Sequence, residues 1–216
     1  MRFSIALAFN AADQWIALAR AADEAGFDSV VVSDHLVYPA NLTSAYPYTE
    51  TGEPRWDAQT AWPDPMIAIG AMAAATERLR FITAIYLLSL RHPVVAAKQI
   101  ATADAFSNGR VTLGVGAGWM REEFDLLGVP FAARGRRLEE CVRVLRKLWR
   151  GGMVEHHGEF YDFDPLEMSP APRAAIPIWG GGTSERALQR AATLLDGWVS
   201  EIQTRAEVRE ISAKLH

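Results

Sequence analysis

The sequence contains a single cysteine, Cys141, so no disulfide can form within the chain. That usage fits a reducing compartment, and a cytoplasmic protein is expected. No stretch of about 18 apolar residues runs uninterrupted by charge, which argues against a membrane-spanning helix. Basic residues do not predominate either. Twenty-two Lys and Arg stand against 26 Asp and Glu, a formal charge of -4, and a nucleic-acid partner would want a basic face. Several catalytic signatures are missing too. There is no GK[ST] of a Walker loop, no HExxH or CxxC for a metal, and no Gly-x-Ser-x-Gly elbow. Met1–Asn10 carries one basic residue and runs straight into a strand-like pattern, so no leader is expected there.

What is present is a soluble globular composition, with half of the residues hydrophobic and 22% charged. Strand-like and helix-like patterns alternate. Strands are expected at Phe3–Phe9, Ser29–Val32, Leu79–Ile85, Arg110–Val115, Ile176–Trp179 and Trp198–Ser200. Helices are expected at Ala11–Ala25, Asp64–Thr76, Val94–Phe106, Arg136–Trp149, Ser184–Leu195 and Thr204–Leu215. Strands joined through helices make parallel βαβ units, and nearly continuous apolar strands mean a sheet covered on both faces. One α/β domain over 1–216 follows. The order alone leaves a doubly wound sheet and a TIM barrel both open.

Two segments interrupt the alternation. Residues 33–63 hold Pro39, Pro47, Gly52, Pro54 and Pro63 together with Tyr38, Tyr46, Tyr48, Trp56 and Trp62. A long loop this rich in aromatics is read as an ordered lid or pocket wall rather than as disorder. Residues 153–173 read as an inserted hairpin, with Val154–His157 and Phe160–Phe163 either side of Gly158-Glu159. His156 and His157 are expected to be exposed on it, pointing to opposite faces and making no metal pair.

In parallel α/β folds the chemistry gathers at the C-terminal ends of the strands. Ser33-Asp34-His35 ends the second strand. His35 can move a proton near neutrality, and Asp34 can orient an imidazole or bond a cofactor. The alternative is a loop cap and a satisfied backbone contact. Gly114–Gly118 follows the fourth strand, where glycines permit a close backbone approach. Trp119 stands where a dinucleotide fingerprint needs its third glycine, and by itself the run reads first as a tight turn with close strand packing. Gly180-Gly181-Gly182-Thr183-Ser184 precedes a helix, so free backbone donors and the helix dipole converge on a candidate phosphate site. Cys141 is read as packing. Arg134–Arg137 reads as a solvated helix start from which Arg134 can reach an anionic tail.

Several blocks, in order, carry a resemblance. They are Ser33-Asp34-His35, Tyr46-Pro47-Tyr48-Thr49, Trp62-Pro63-Asp64-Pro65, Arg91-His92-Pro93-Val94, Gly109–Trp119, Phe124–Pro130 and Pro177–Trp198. Together they resemble the luciferase-like monooxygenase superfamily, most closely its F420-dependent oxidoreductase branch. The resemblance implies a TIM (β/α) barrel with coenzyme F420, or alternatively FMN, at its mouth. It implies a catalytic His35 beside the ring, together with Asp34. It also implies a non-prolyl cis peptide at Thr83-Ala84, ring or tail contacts from Gly116, Ala117 and Gly118, and a phosphate held by residues 180–184. Phe9, Tyr48, Trp62 and Trp119 would wall the substrate pocket. Sugar-phosphate dehydrogenases of this superfamily have a catalytic Glu where this chain has Trp119, which argues against that substrate.

The expected activity is hydride transfer between F420 and a small organic substrate, with no metal and with a homodimer as the expected assembly. The alternatives are an FMN-dependent monooxygenase acting with O₂, a non-enzymatic ligand-binding paralogue and a phosphate-binding lyase on the same barrel. Six βα units are counted where a closed barrel has eight, so a barrel cut short by two units is expected.

Overall fold

The computed structural model describes residues 2–215. One sheet of six parallel strands forms its centre. In spatial order they are β1 (Ser4–Ala6), β2 (Ser29–Val32), β3 (Arg80–Thr83), β4 (Val111–Val115), β7 (Ile178–Gly181) and β8 (Gly197–Val199). Between β4 and β7 the chain makes a separate antiparallel pair, β5 (Val154–His157) and β6 (Asp162–Leu166). Each sheet strand is followed by a helix, as the alternation predicts. The helices are α1 (Trp15–Glu24), α2 (Pro65–Ala73), α3 (Pro93–Phe106), the short α4 (Arg121–Leu126), α5 (Arg134–Leu148), α6 (Glu185–Leu194) and α7 (Arg205–Leu215). Among the described residues no pairing joins β8 back to β1.

Apolar periodicity builds the core. Val30, Val32, Phe81, Val111, Leu113 and Ile178 of the strands are buried against Ile69, Met72, Ala97, Ile100, Val142 and Leu145 of the helices. Local chemistry sets several boundaries. Asp64 caps α2 by accepting from the Met66 and Ile67 N–H groups, with Pro65 at the first helical position. That helix stops at Ala73 instead of Thr76, because the Arg110 guanidinium takes the Ala73 and Thr76 carbonyls at 3.0 Å each.

Other sequence expectations shift as well. The first strand ends at Ala6, not Phe9, since Asn10 N–H turns back to the Leu7 carbonyl and Phe9 adopts φ 68°. The third strand ends at Thr83, and the cis peptide bond lies at Ala84-Ile85, one residue beyond Thr83-Ala84. The fifth sheet strand reaches Gly181, so Gly180 and Gly181 belong to the sheet and the turn is shorter than expected. In the hairpin the second strand is Asp162–Leu166, two residues later than expected. The buried Glu140 carboxylate accepts from the Glu159, Phe160 and Tyr161 N–H groups, which removes them from strand pairing. Glu140 also bonds His156 Nε2 at 3.1 Å, so His156 is buried rather than exposed, while His157 on the opposite face is exposed.

Candidate cofactor and active site

A cleft of about 700 Å³ opens at the C-terminal end of the sheet. Residues just beyond all six strands line it: Phe9 after β1, Asp34 and His35 after β2, Ala84 and Ile85 after β3, Gly116–Trp119 after β4, Gly182–Ser184 after β7 and Glu201 after β8. The 33–63 segment adds Tyr46, Tyr48, Trp56 and Trp62 to the lining. Of the residues singled out in the sequence, two stay out of the cleft lining. Thr83 is fully buried and its hydroxyl donates to the Gly114 carbonyl at 2.8 Å. A Cβ on Gly180 would come within 2.6 Å of Leu195, so that glycine serves strand-to-helix packing.

The β2 terminus divides its labour in a way the sequence did not reveal. Both Asp34 oxygens are taken: Arg91 bonds them at 2.6 and 3.0 Å, and the Leu87 N–H adds a third contact at 2.8 Å. Asp34 therefore does not orient the imidazole. It ties the chain after the Ala84-Ile85 bond to the end of β2. Arg91 lies over the Tyr86 ring at 4.1 Å and is 3.7 Å from Asp64. Burial disfavours its charge, but Asp34 outweighs that and holds its pKa above the ordinary arginine value.

His35 has a different partner. Its Nδ1 lies 3.3 Å from Oε1 of Glu123 on α4, and the same oxygen accepts the Leu36 N–H at 2.7 Å. The imidazole packs among indoles, 4.9 Å from Trp56, 5.4 Å from Trp62 and 5.9 Å from Trp119 between ring centres. Phe9 meets Trp62 edge-on at 5.7 Å, and Tyr46 meets Trp56 and Trp119 at 5.0 and 5.2 Å. Burial and Glu201 push the Tyr46 phenol up to about 12. Phe9, Tyr48, Trp62 and Trp119 all line the cleft, together with Tyr46 and Trp56.

Arg134, Arg136, Arg186 and Arg190 also line the cleft, Arg190 lying 3.4 Å from Glu139 and Arg136 pairing with Glu159. Arg134 bonds only carbonyls, those of Gly118 and Phe131, and stacks on the Phe131 ring at 3.8 Å. Burial, then the charges of Arg121 and Arg190, lower its pKa. Such mutual repulsion is relieved by an anion. Gly182, at φ +94°, turns the chain into α6, where Ser184 caps the helix by accepting from Ala187 N–H. Among the described residues the Gly182, Thr183 and Ser184 N–H groups have no protein partner. Gly116 has a more local purpose: a Cβ there would fall 1.7 Å from Ile85 Cδ1. The residue clears space for the Ile85 side chain, so packing between neighbouring strand ends accounts for it.

The luciferase-like monooxygenase family model matches residues 1–216. The chain belongs to that family. An uncharacterized protein of Mycobacterium tuberculosis is 41% identical over 199 residues, which are 92% of this chain and 69% of that protein. An FMNH(2)-dependent dimethylsulfone monooxygenase of Pseudomonas putida is 37% identical over 153 residues, covering 67% of this chain and 42% of the other. Among solved structures, monooxygenase RslO1 from Streptomyces bottropensis superposes with a TM-score of 0.82 at 25% identity, covering all of this chain and 64% of its own. An F420-dependent secondary alcohol dehydrogenase shares the fold, with a TM-score of 0.74, 20% identity, and coverage of 100% and 65%. This luciferase-like chain therefore spans about two thirds of the length of these solved structures, and its curled parallel sheet is a half-barrel of the TIM type. Among the described residues no helix is long and apolar enough to cross a membrane, and no cluster of metal-ligating side chains occurs.

Sequence reasoning missed Glu123, Arg186 and Arg190, and placed Trp56 in the pocket-wall segment without giving it a contact to His35. It quoted Arg91 without giving it a role. The doublet Glu122-Glu123 just after Trp119 was the available signal, since acidic residues in a helix's first turn commonly hold neighbouring backbone donors.

Proposed function

We propose that this cleft binds coenzyme F420 and that the protein transfers a hydride between it and a small organic substrate, with His35 as the acid–base group. The carrying observation is the pairing, in one cleft, of an aromatic chamber around His35 with lining arginines and free backbone donors. A planar ring system with a long anionic tail matches that polarity. The Gly182–Ser184 donors suit one phosphate, and Arg134, Arg136, Arg186 and Arg190 supply charge for the further anionic groups of the F420 tail. Bound there, the cofactor would supply the hydride chemistry.

The chain's own residues orient, desolvate and move a proton. Asp34 and Arg91 brace the segment after β3 that forms the floor. The indoles of Trp56, Trp62 and Trp119 exclude water around the imidazole. An aromatic wall with few polar groups favours an uncharged substrate bearing one oxygen for His35 to meet.

The experiment is a titration of the protein with F420 and with FMN, followed by tryptophan fluorescence. Tight binding of F420 and loss of turnover in His35→Ala with unchanged cofactor affinity are expected. A second reading, reduced FMN acting with O₂, is favoured by the 37% identity to a protein described as an FMNH(2)-dependent monooxygenase. Tight FMN binding without F420 affinity would replace the first reading with the second. If neither cofactor binds, both readings fail.

A further inference from the structure

The His35 imidazole is held from behind by a carboxylate that never reaches the cleft. Glu123 has a side chain only 1% exposed and is absent from the cleft lining. Its Oε1 accepts the Leu36 backbone N–H, a donor that cannot reverse its role. His35 Nδ1 faces that same oxygen at 3.3 Å. Two lone pairs meeting there would repel, so Nδ1 is the nitrogen that brings a proton. The second oxygen, Oε2, is buried and has no hydrogen-bond partner among the described residues. A buried carboxylate with one bare oxygen is costly unless its charge is met elsewhere. The side-chain donor that can face this carboxylate is the His35 Nδ1–H.

We propose that Glu123 is a positioning residue that fixes His35 in the tautomer protonated on Nδ1, leaving Nε2 as the lone-pair nitrogen presented to the substrate chamber. This rests on the reading of His35 as the acid–base group. A histidine with two free choices spends part of its time with the wrong nitrogen protonated, and the bond made by one ring nitrogen sets the state of the other. Here Nε2 takes the substrate's proton in one direction and returns it in the other, while the Nδ1–H stays on Glu123. The neighbouring Glu122 offers a contrast. Its Oε1 holds Thr43 and Ser44 of the lid and makes no contact with His35.

The test reads the tautomer directly, without cofactor. Protein labelled with ¹⁵N in its histidine rings is studied by NMR above the imidazole titration range, and His35 is assigned by the signals lost in His35→Ala. The wild type should show a protonated Nδ1 and a bare Nε2. Glu123→Leu should lose that preference and show Nε2–H. Glu123→Gln, whose amide oxygen can still accept from both Leu36 and His35, should keep it, and Glu122→Gln should leave it unchanged. With the cofactor bound, Glu123→Leu should lower kcat by about ten- to a hundredfold with KM nearly unmoved. A wild-type His35 protonated on Nε2, or a Glu123→Leu protein with the wild-type tautomer, overturns the proposal. Should Glu123→Leu fail to fold, the wild-type spectrum decides alone. Failure of F420 and FMN to bind would remove the functional reading and leave the tautomer result standing.

Discussion

Asp34 and Arg91 show how much one buried pair can settle. Their side chains are 2% and 13% exposed, and the guanidinium meets the carboxylate through two nitrogens. A lone carboxylate left at that depth would be severely desolvated. Arg91→Ala is therefore expected to destabilise the protein by about 3–5 kcal/mol, measured by urea denaturation. Arg91→Lys should recover only part of it, because an ammonium cannot supply the planar two-point contact. Equal stability of all three proteins would show that the pair contributes nothing. Cys141 shows the opposite outcome at the same scale. Burial pushes its thiol up to about 11, and with no exposed surface and the Tyr161 hydroxyl 3.4 Å away it packs in the core.

Two elements are held in place by glutamates. Glu122 on α4 anchors the lid by accepting from the Thr43 N–H, the Thr43 hydroxyl and the Ser44 N–H. Burial works against its charge, but these bonds outweigh it and hold its pKa at about 2, against an ordinary 4.5. A carboxyl depressed in the folded state adds stability that is complete above its unfolded pKa and vanishes as pH falls through the folded value. The lid should therefore loosen between about pH 4.5 and 2. Fluorescence of Trp56 and Trp62 would report it, and Glu122→Ala should show the loosened signal already at neutral pH. A lid signal flat through that window would contradict the assignment.

The hairpin β5–β6 is held by Glu140, which gathers three backbone N–H groups and His156. Glu140→Ala should expose the turn at 158–161 to limited proteolysis well below the melting temperature. Resistance equal to that of the wild type would mean that the strand pairing alone holds the hairpin.

At the scale of the whole molecule, the six parallel strands matter because they end together. Each contributes at least one residue to a single cleft, although these residues are spread from Phe9 to Glu201. A ligand that bridges several strand ends stabilises the folded chain through mass action. At about a hundredfold excess over its Kd the correct cofactor should add about 2.7 kcal/mol. For a chain of this length that is about 5–10 °C in melting temperature. A scan with F420 and with FMN ranks the two in one experiment, and no shift with either would contradict a preformed site.

Much of this was readable in advance. Alternating apolar strands and amphipathic helices determine a parallel α/β sheet, because each period reports which face of its own element is buried. From that sheet follows the placing of Asp34, His35, Gly116–Trp119 and Gly182–Ser184 at one end. The partner of His35 did not follow, since Glu123 lies 88 residues away on a six-residue helix with too little periodicity to announce itself. Arg134 was legible as a residue that could reach an anionic tail, but its company with Arg190 was hidden, because the two belong to helices that approach each other only once the sheet is built. Sequence determined which strand ends carry polar and glycine-rich residues; tertiary structure decided which side chains reach the cleft and touch, because contact between distant residues depends on the path the loops and helices take across the sheet.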